Sequence, residues 1–223
     1  MVKKIVGTGV LLVLALALQA GVKMYTLKSP DGKVKLEVTA GQGIAYSLFY
    51  DGRLLLKPSR IALHTDLPEA DHWENIRITG TKQRHVSETV QAPFYRVKEF
   101  GIDCNELELR LNNGFSLLMR AYNDGMAYRF VAGRKGEMTV VEERAEFNFA
   151  DDFEAYIPYS TNPKDPWNMA FQNFYTKAPL TQYNTELPAF LPLTVDAGAV
   201  KLTLLESDLE AYPGMFVCGD GRL

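Results

Sequence analysis

The chain has 223 residues, of which 47% are hydrophobic and 11% aromatic, so it can bury a sizeable core. Its formal net charge of −3, with lysines and arginines scattered along the chain, gives no electrostatic basis for binding nucleic acid. Three histidines and two cysteines leave little material for a metal site built on those residues.

The N-terminal stretch has the organisation of a secretory signal peptide. Lys3-Lys4 is a short basic region, Ile5–Leu18 is an apolar run, and Leu18-Gln19-Ala20 places a small residue at a cleavage position. The apolar run is shorter than the ~20 residues that a membrane-spanning helix needs. We therefore expect residues 1–20 to be a signal peptide, and the mature chain 21–223 to be periplasmic or secreted without a membrane anchor.

The next segments are typical of short strands joined by tight turns. Residues 44–50 and 53–56 flank Asp51-Gly52, which is a strong signal for a β-hairpin. We expect Pro58-Ser59 to break the second of these strands. The charged stretch Thr81–Thr89 has a single valine as its apolar anchor, which is weak support for a strand.

Residues 109–132 predict a meander of three antiparallel strands. Asn112-Asn113-Gly114 and Asn123-Asp124-Gly125 form its turns, since Asn, Asp and Gly tolerate the positive φ that hairpin turns require. Apolar and polar residues alternate between the turns, so one face of the meander is expected to be buried.

Three glutamates follow in the β-rich run 138–149. Glu142, Glu143 and Glu146 have two interpretations, a carboxylate pair for acid–base chemistry or an exposed strand face, and no sequence feature marks a cleft there. Further on, Asp165 and Pro166 suit the start of a helix, and 169–175 would then be a short helix or an irregular turn.

Aromatic residues concentrate between the meander and the last hairpin. They have two interpretations, core and loop packing, which the sequence favours, or a sugar-facing edge, because sugars stack on exposed rings. The residues concerned are Tyr156, Tyr159, Trp167, Phe171, Phe174 and Tyr175.

Almost every predicted element is a strand of ordinary length, which indicates a large antiparallel β-sandwich with few short helical turns. The last strand has little chain after it, so we expect the sequence to be part of a larger protein. No nucleophile, zinc or phosphate-binding motif is present. Cys104 and Cys218 are expected to stay unpaired, because Cys218 lies near the end of the chain.

Five stretches occur in the order found in one known family. They are Ser29–Gly32 (SPDG), Lys57–Ser59 (KPS), Arg120–Phe130 (RAYNDGMAYRF), Ala155–Pro158 (AYIP) and Asp208–Met215 (DLEAYPGM). On these motifs the chain resembles the N-terminal domain of glycoside hydrolase family 97 over residues 25–217.

The resemblance implies a β-super-sandwich of the galactose-mutarotase type, which packs on a (β/α)₈ barrel and borders its active site. In that family the barrel hydrolyses α-glucosidic or α-galactosidic bonds of oligosaccharides with two carboxylates of its own. The chain lacks the barrel, so the resemblance implies no catalytic residue here and no activity for the chain alone.

The resemblance also implies a site in the loop after the Tyr-Ile-Pro strand. There the family contributes one glutamate to an active-site calcium ion, and Gln172 stands at that position here. An amide oxygen ligates calcium without charge, which lowers affinity, so calcium is expected in the full-length enzyme and not on this chain alone. Trp167 and Asn173 of the same loop are the candidate substrate-binding residues.

Two other functions remain open from the sequence. The chain is alternatively a stand-alone carbohydrate-binding β-sandwich that uses its aromatic loop, or an interaction domain without a ligand. The sugar, the stereochemical outcome and the oligomeric state have no signature in the sequence.

Overall fold

A computed structural model describes residues 22–162, 164–167, 173–207, 209 and 212–220. The predicted signal peptide, Gln172 and most of the expected helix over 169–175 therefore lie outside the described residues. The described chain is all-β, which confirms the predicted fold class, and it divides into two compact units. The first unit comprises residues 22–53 and 58–146, and the second comprises residues 54–57 and those from 147 onward.

The described residues form thirteen strands and one short 3-10 helix at Leu180–Gln182. The strands are β1 (Lys23–Lys28), β2 (Val34–Gly41), β3 (Gly43–Tyr50), β4 (Arg53–Thr65), β5 (Ile78–Gln91), β6 (Glu99–Leu111), β7 (Phe115–Tyr122), β8 (Gly125–Ala132), β9 (Val140–Ala145), β10 (Glu154–Ile157), β11 (Thr176–Pro179), β12 (Leu193–Asp196) and β13 (Lys201–Leu204). Among these elements no helix is long and apolar enough to span a membrane.

The first unit contains two antiparallel sheets, with strand orders β1-β2-β3-β4-β9 and β5-β6-β7-β8. The predicted meander is confirmed as the end of β6 with β7 and β8, and Leu109 lies opposite Leu117, which lies opposite Phe130. Alternate residues of β7 are buried from Phe115 to Ala121, as the alternation predicts.

The two sheets of the first unit pack face to face through these alternating residues. Leu36 and Val38 of one sheet and Leu109 and Leu117 of the other are fully buried. Each such side chain contributes about 1.5–3 kcal/mol by leaving water. Trp73, in the connection between β4 and β5, lies 5.1 Å from Phe130 between ring centroids. An apolar sandwich core is therefore what holds this unit together.

Two of the predicted hairpin turns differ in backbone conformation. Asp51 and Gly52 have φ of 47° and 79°, so this turn has the positive φ that was predicted. Neither Asn123 nor Asp124 has positive φ, and that part of the prediction is wrong. The side chain of Asn123 is used instead to accept a hydrogen bond from the backbone N–H of Asp31, at 3.0 Å.

Two expectations about strands are corrected. Pro58 does not break β4, because backbone bonds on either side of it, from Lys57 N–H to the Asn148 carbonyl and from Glu146 N–H to the Arg60 carbonyl, need no N–H from the proline. The charged stretch 81–89 lies within β5, the longest described strand. β5 is an edge strand, which pairs with β6 alone among the described strands and has most of its side chains exposed.

The second unit contains a sheet of order β11-β10-β12-β13. β12 and β13 form a hairpin around residues 197–200. Ala155 and Ile157 of β10 and Val195 of β12 have no exposed surface, so the short strands share a small core. The long connection from β10 to β11 carries the candidate site residues.

Candidate functional site

The connection between β10 and β11 begins as an extended segment that is bonded to residues 188–190. Tyr159 forms an antiparallel bridge with Ala189, and the N–H of Ser160 donates to the carbonyl of Pro188 at 2.8 Å. The chain is thus held in place just after β10, the strand that contains most of the Tyr-Ile-Pro motif of the family resemblance.

Trp167 lies on this connection with 59% of its surface exposed. Its ring stands perpendicular to that of Phe216, with 5.0 Å between centroids. The hydroxyl of Ser160 donates to the carbonyl of Pro166 at 2.7 Å and fixes the backbone next to the indole. An exposed ring on a held backbone is suited to stacking against a sugar.

Asn173 lies at the far end of the same connection and is half-buried. Its Nδ2 donates to the carbonyl of Tyr159 at 2.8 Å, and its Oδ1 accepts from the N–H of Phe174 at 2.9 Å. Trp167 and Asn173 are therefore both tied to the pair Tyr159-Ser160. Among the described residues, the amide of Asn173 keeps one N–H and one lone pair for a further partner.

Tyr159 and Tyr183 stabilise this region by ring packing and hydrogen bonds. The rings of Tyr159 and Tyr183 lie edge to face at 5.0 Å. The Tyr159 hydroxyl accepts from the N–H of Asn184 at 2.7 Å, and the Tyr183 hydroxyl donates to the carbonyl of Val217 at 2.7 Å. Burial raises the pKa of both phenols, so both are neutral near neutral pH and hold the loop as packed hydrogen-bonding groups.

The described residues contain no cluster of acidic, histidine or cysteine side chains that could hold a metal ion by themselves. Calcium takes six to eight oxygen ligands, and the part of the chain that the structure describes brings together no group of three His, Cys, Asp or Glu side chains. Gln172 lies outside the described residues, so its predicted role as a calcium ligand stays a prediction.

The three glutamates considered for acid–base chemistry take up separate positions on β9 and just after it. Glu142 and Glu143 are exposed on the strand. The Glu146 carboxylate accepts from the backbone N–H of Arg60 at 3.1 Å and lies 3.6 Å from Arg144. Their contacts favour the exposed strand face over a catalytic pair.

The sequence interpretation missed a charged cluster on the outer face of the β5–β8 sheet. Glu106 is only 5% exposed, and its two oxygens accept from Nε of Arg84 at 2.6 Å and from Nε of Arg120 at 2.7 Å. Arg84 and Arg120 stand opposite Glu106 on the two neighbouring strands. Counting back from the Asn112–Gly114 turn places Glu106 opposite Arg120, so the pairing was predictable in principle.

The ionisation of Glu106 follows from these contacts. Burial by itself raises its pKa, but the hydrogen bonds and charges of the two guanidinium groups outweigh burial, and the pKa lies below its ordinary value. Glu106 is therefore ionised at neutral pH and unsuited to donate a proton. A shallow groove of about 320 Å³ adjoins it, lined by Lys82, Arg84, Glu106, Glu108, Ser116, Leu118 and Val131.

The fold and the connection after β10 define an all-β sandwich domain that carries an exposed aromatic loop. Its family follows from comparison with known sequences. The family described as Glycosyl-hydrolase 97 N-terminal matches residues 27–222, and the chain belongs to this family.

Two curated relatives are enzymes. A retaining alpha-galactosidase of Bacteroides thetaiotaomicron is 41% identical over 209 residues, which cover 91% of this chain and 31% of the relative. A probable retaining alpha-galactosidase of Streptomyces bingchenggensis is 26% identical over 158 residues, which cover 69% of this chain and 24% of the relative. The chain thus spans less than a third of the length of either relative.

Solved structures show the same fold. A glycoside hydrolase family 97 enzyme from Pseudoalteromonas sp. strain K8 in complex with panose matches with a TM-score of 0.62 at 19% identity, over 77% of this chain and 26% of that one. A beta-arabinopyranosidase matches with a TM-score of 0.65 at 22% identity, over 77% of this chain and 29% of that one. At these identities the likeness concerns the fold alone.

Proposed function

We propose that the chain is the N-terminal domain of an exported family 97 enzyme that hydrolyses α-galactosidic bonds in its full-length form. The observation that carries this proposal is the 41% identity, over 91% of the chain, to a retaining alpha-galactosidase. The sequence resemblance alone left α-glucosidic and α-galactosidic bonds equally open. The names of both curated relatives favour the galactoside and the retaining stereochemistry.

In this proposal the domain supports catalysis without performing it. Glycoside hydrolysis needs two carboxyl groups that flank the bond, one of them a general acid with a raised pKa. Several carboxyl groups of the described residues have a pKa below the ordinary value instead. In Asp31, Asp66, Glu69 and Asp196 hydrogen bonds are the main cause. None of these groups is therefore suited to be the acid.

The connection between β10 and β11 is the part that we propose to border the active site of the full-length enzyme. Trp167 would stack on a sugar ring, and Asn173 would contribute its free N–H to a sugar hydroxyl. Gln172 would face the calcium ion with an uncharged oxygen, and the remaining ligands would come from the catalytic domain. The proposal is supported by the exposed ring of Trp167 and by its fixed backbone.

A hydrolysis assay tests whether catalysis requires the full-length protein and is absent from this chain alone. We expect the mature chain alone to leave nitrophenyl α-galactoside and α-glucoside intact, and the full-length protein to cleave the galactoside faster. Trp167→Ala in the full-length protein should raise KM more than it lowers kcat, and Phe94→Ala, an equally aromatic change in the first unit, should change neither. Turnover by the chain alone would overturn the proposal.

Export is tested separately. Expression from the native start codon should give a secreted or periplasmic product whose N-terminal residue lies near Gly21. A cytoplasmic product that retains Lys3-Lys4 would contradict the signal-peptide assignment without touching the family assignment.

A stand-alone carbohydrate-binding module is the second candidate function, favoured by the exposure of Trp167 and of Phe174, which is 94% exposed. It predicts glycan binding by the chain alone, lost in Trp167→Ala and kept in Phe94→Ala. If the chain alone binds no glycan on an array and the full-length protein hydrolyses its substrate, this candidate is rejected and the proposal of an enzyme's N-terminal domain is supported.

A further inference from the structure

Strand β5 has a free edge along most of its length. It is the outermost strand of its sheet, it has 14 residues, and β6 is its only neighbour among the described strands. Long, exposed edges are templates for pairing with another strand, and most proteins shorten or cover them. No described segment covers this one.

The backbone orientation of β5 follows from one hydrogen bond. Ala92 donates its N–H to the carbonyl of Lys98, the residue opposite it in the register of β5 with β6. Because backbone groups alternate between the two sides of an antiparallel strand, even-numbered residues of β5 bond to β6. The N–H and C=O groups of odd-numbered residues, from Thr81 to Gln91, therefore point outward.

The side chains of β5 make this edge self-complementary in one register. If two copies pair antiparallel about a two-fold axis at Val86, Arg84 of each copy lies directly opposite Glu88 of the other, and the two Val86 side chains meet at the axis. Even-numbered residues then form the closely spaced pairs of the ladder, in which side chains contact most. The odd-numbered residues of β5 lie on the other face of the sheet, and all of them are polar.

Neighbouring registers are less favourable. Shifting the axis to Arg84 places the two Arg84 side chains opposite each other, and shifting it to Glu88 does the same for the two glutamates. An axis at His85 pairs Lys82 with Glu88 but sets the two histidines face to face. Like charges directly opposite destabilise a sheet, so the charges disfavour the axes at Arg84 and Glu88. The axis at Val86 also brings two apolar side chains together, which the axis at His85 does not.

We propose that β5 is a dimerisation edge, at which two copies of this chain join their four-stranded sheets into one sheet of eight strands. Arg84 keeps its Nε on Glu106 and uses its other N–H groups for Glu88 of the second copy. The same register carries the hairpin tip past the second copy's Gly80. The tip residues Phe94 and Tyr95, 98% and 71% exposed, then lie beside the start of its β5.

The test is the mass of the purified chain in solution, by light scattering and sedimentation over a range of concentrations. We expect a dimer. Glu88→Arg, which sets arginine against arginine twice, should weaken the dimer tenfold or more. Arg129→Glu, a charge reversal on the opposite edge strand β8, is the matched control and should keep the dimer. A wild-type monomer at every soluble concentration would overturn the proposal.

A proline variant tests the strand pairing itself. Ser87→Pro removes an outward N–H and no bond to β6, so it should give a folded monomer with an unchanged circular dichroism spectrum. Hydrogen exchange should protect the odd-numbered amides of β5 in the dimer and not in Glu88→Arg. A dimer without that protection would place the interface elsewhere and overturn the proposal.

The register has its own variant. Lys82 faces Val90 across an axis at Val86 and faces Glu88 across an axis at His85. Lys82→Glu should therefore keep the dimer. Loss of the dimer in Lys82→Glu would overturn the axis at Val86.

Discussion

At the scale of single residues, the carboxylate of Glu106 is the most consequential charge in the first unit. It is nearly buried and is shared by two guanidinium groups on neighbouring strands. Removing one member of such a group leaves the others without a counter-charge. Glu106 therefore stabilises the cross-strand pairing of β5, β6 and β7 only while it is ionised.

Glu106→Gln should lower the free energy of unfolding at neutral pH by about 2 kcal/mol, the usual contribution of hydrogen bonds to a charged group. The pKa of Glu106 is depressed in the folded state, so its contribution is complete above the pKa of an unfolded glutamate, about 4.3. The contribution is lost as pH falls through the lower folded value. Urea unfolding of both proteins across the acid range should show the difference closing.

The control for this change is Glu108→Gln. Glu108 lies on the same face of β6, and its carboxylate is 3.7 Å from Nε of Arg110, so its removal should cost little. A stability difference for Glu106→Gln that stays constant to the acid end of the titration would contradict the linkage.

The two cysteines should also behave differently as individual residues. Both are free thiols, Cys104 without exposed surface and Cys218 exposed. Burial raises the pKa of the Cys104 thiol, which lowers its reactive thiolate fraction. An aromatic disulfide reagent should therefore titrate one thiol in the native chain and two in urea. Two fast thiols in the native chain would show that Cys104 is accessible.

At the scale of elements, two turns of the first unit are joined by side chains. Ser29 donates its hydroxyl to Asp31 at 2.6 Å, and the backbone N–H of Asp31 donates to Asn123 in the β7–β8 turn at 3.0 Å. The hydrogen bond from Ser29 holds the pKa of Asp31 below its ordinary value. Two of the stretches that carry the family resemblance therefore meet in space.

Asn123→Ala should destabilise the first unit by about 1 kcal/mol, because it removes the acceptor for the Asp31 N–H. Asp124→Ala, at the next position of the same turn, is the control and should cost less. Thermal unfolding followed by circular dichroism measures both. Equal effects of the two changes would assign the cost to the turn conformation instead of the hydrogen bond.

The elements also show what the sequence could and could not predict. Alternation of apolar residues correctly predicted the meander, and Asp51-Gly52 correctly predicted a hairpin, because both signals are local. β5 gave no such signal, because an edge strand needs only one paired side and tolerates polar residues on both faces. The continuation of β4 through Pro58 depended on partners from residues 146–148, which lie far away in sequence.

The candidate site was predictable to a similar extent. The loop containing Trp167 and Asn173 was located by motif order, but the bonds that tie them to Tyr159 and Ser160 come from tertiary structure. The cluster around Glu106 was missed because its members lie on three strands, and charged residues in strands ordinarily indicate a solvated face.

At the scale of the whole molecule, each unit contains a deeply buried tyrosine. Tyr46 lies in the first unit with 1% exposure, and Tyr183 in the second with 9%. Burial is the main reason that the pKa of each phenol is raised, because the phenolate would lose its hydration. The two units therefore share one kind of sensitivity to alkali.

The sign of this sensitivity follows from linkage. An unfolded tyrosine loses its proton near pH 10, whereas Tyr46 and Tyr183 keep theirs in the folded state. Their contribution to stability is thus fully present below about pH 10. Above that pH the unfolded chain binds fewer protons than the folded chain, so the free energy of unfolding falls as pH rises.

Each buried phenol should add about 1.4 kcal/mol per pH unit to this alkaline slope. Tyr46→Phe should reduce the slope by one proton at small cost in stability, because its hydroxyl makes only a long bond of 3.4 Å to the Glu146 carbonyl. Tyr183→Phe should give the same reduction, and the Val217 carbonyl would keep its bond from Ala189.

Urea unfolding at a series of alkaline pH values, followed by phenolate absorbance, measures both slopes. Tyr95→Phe at the hairpin tip is the control, because this side chain is 71% exposed and lies outside both cores. A slope unchanged in both buried variants would mean that other groups set the alkaline limit. A slope changed in only one variant would assign that limit to the unit that contains the substituted tyrosine, since each phenol reports on its own core.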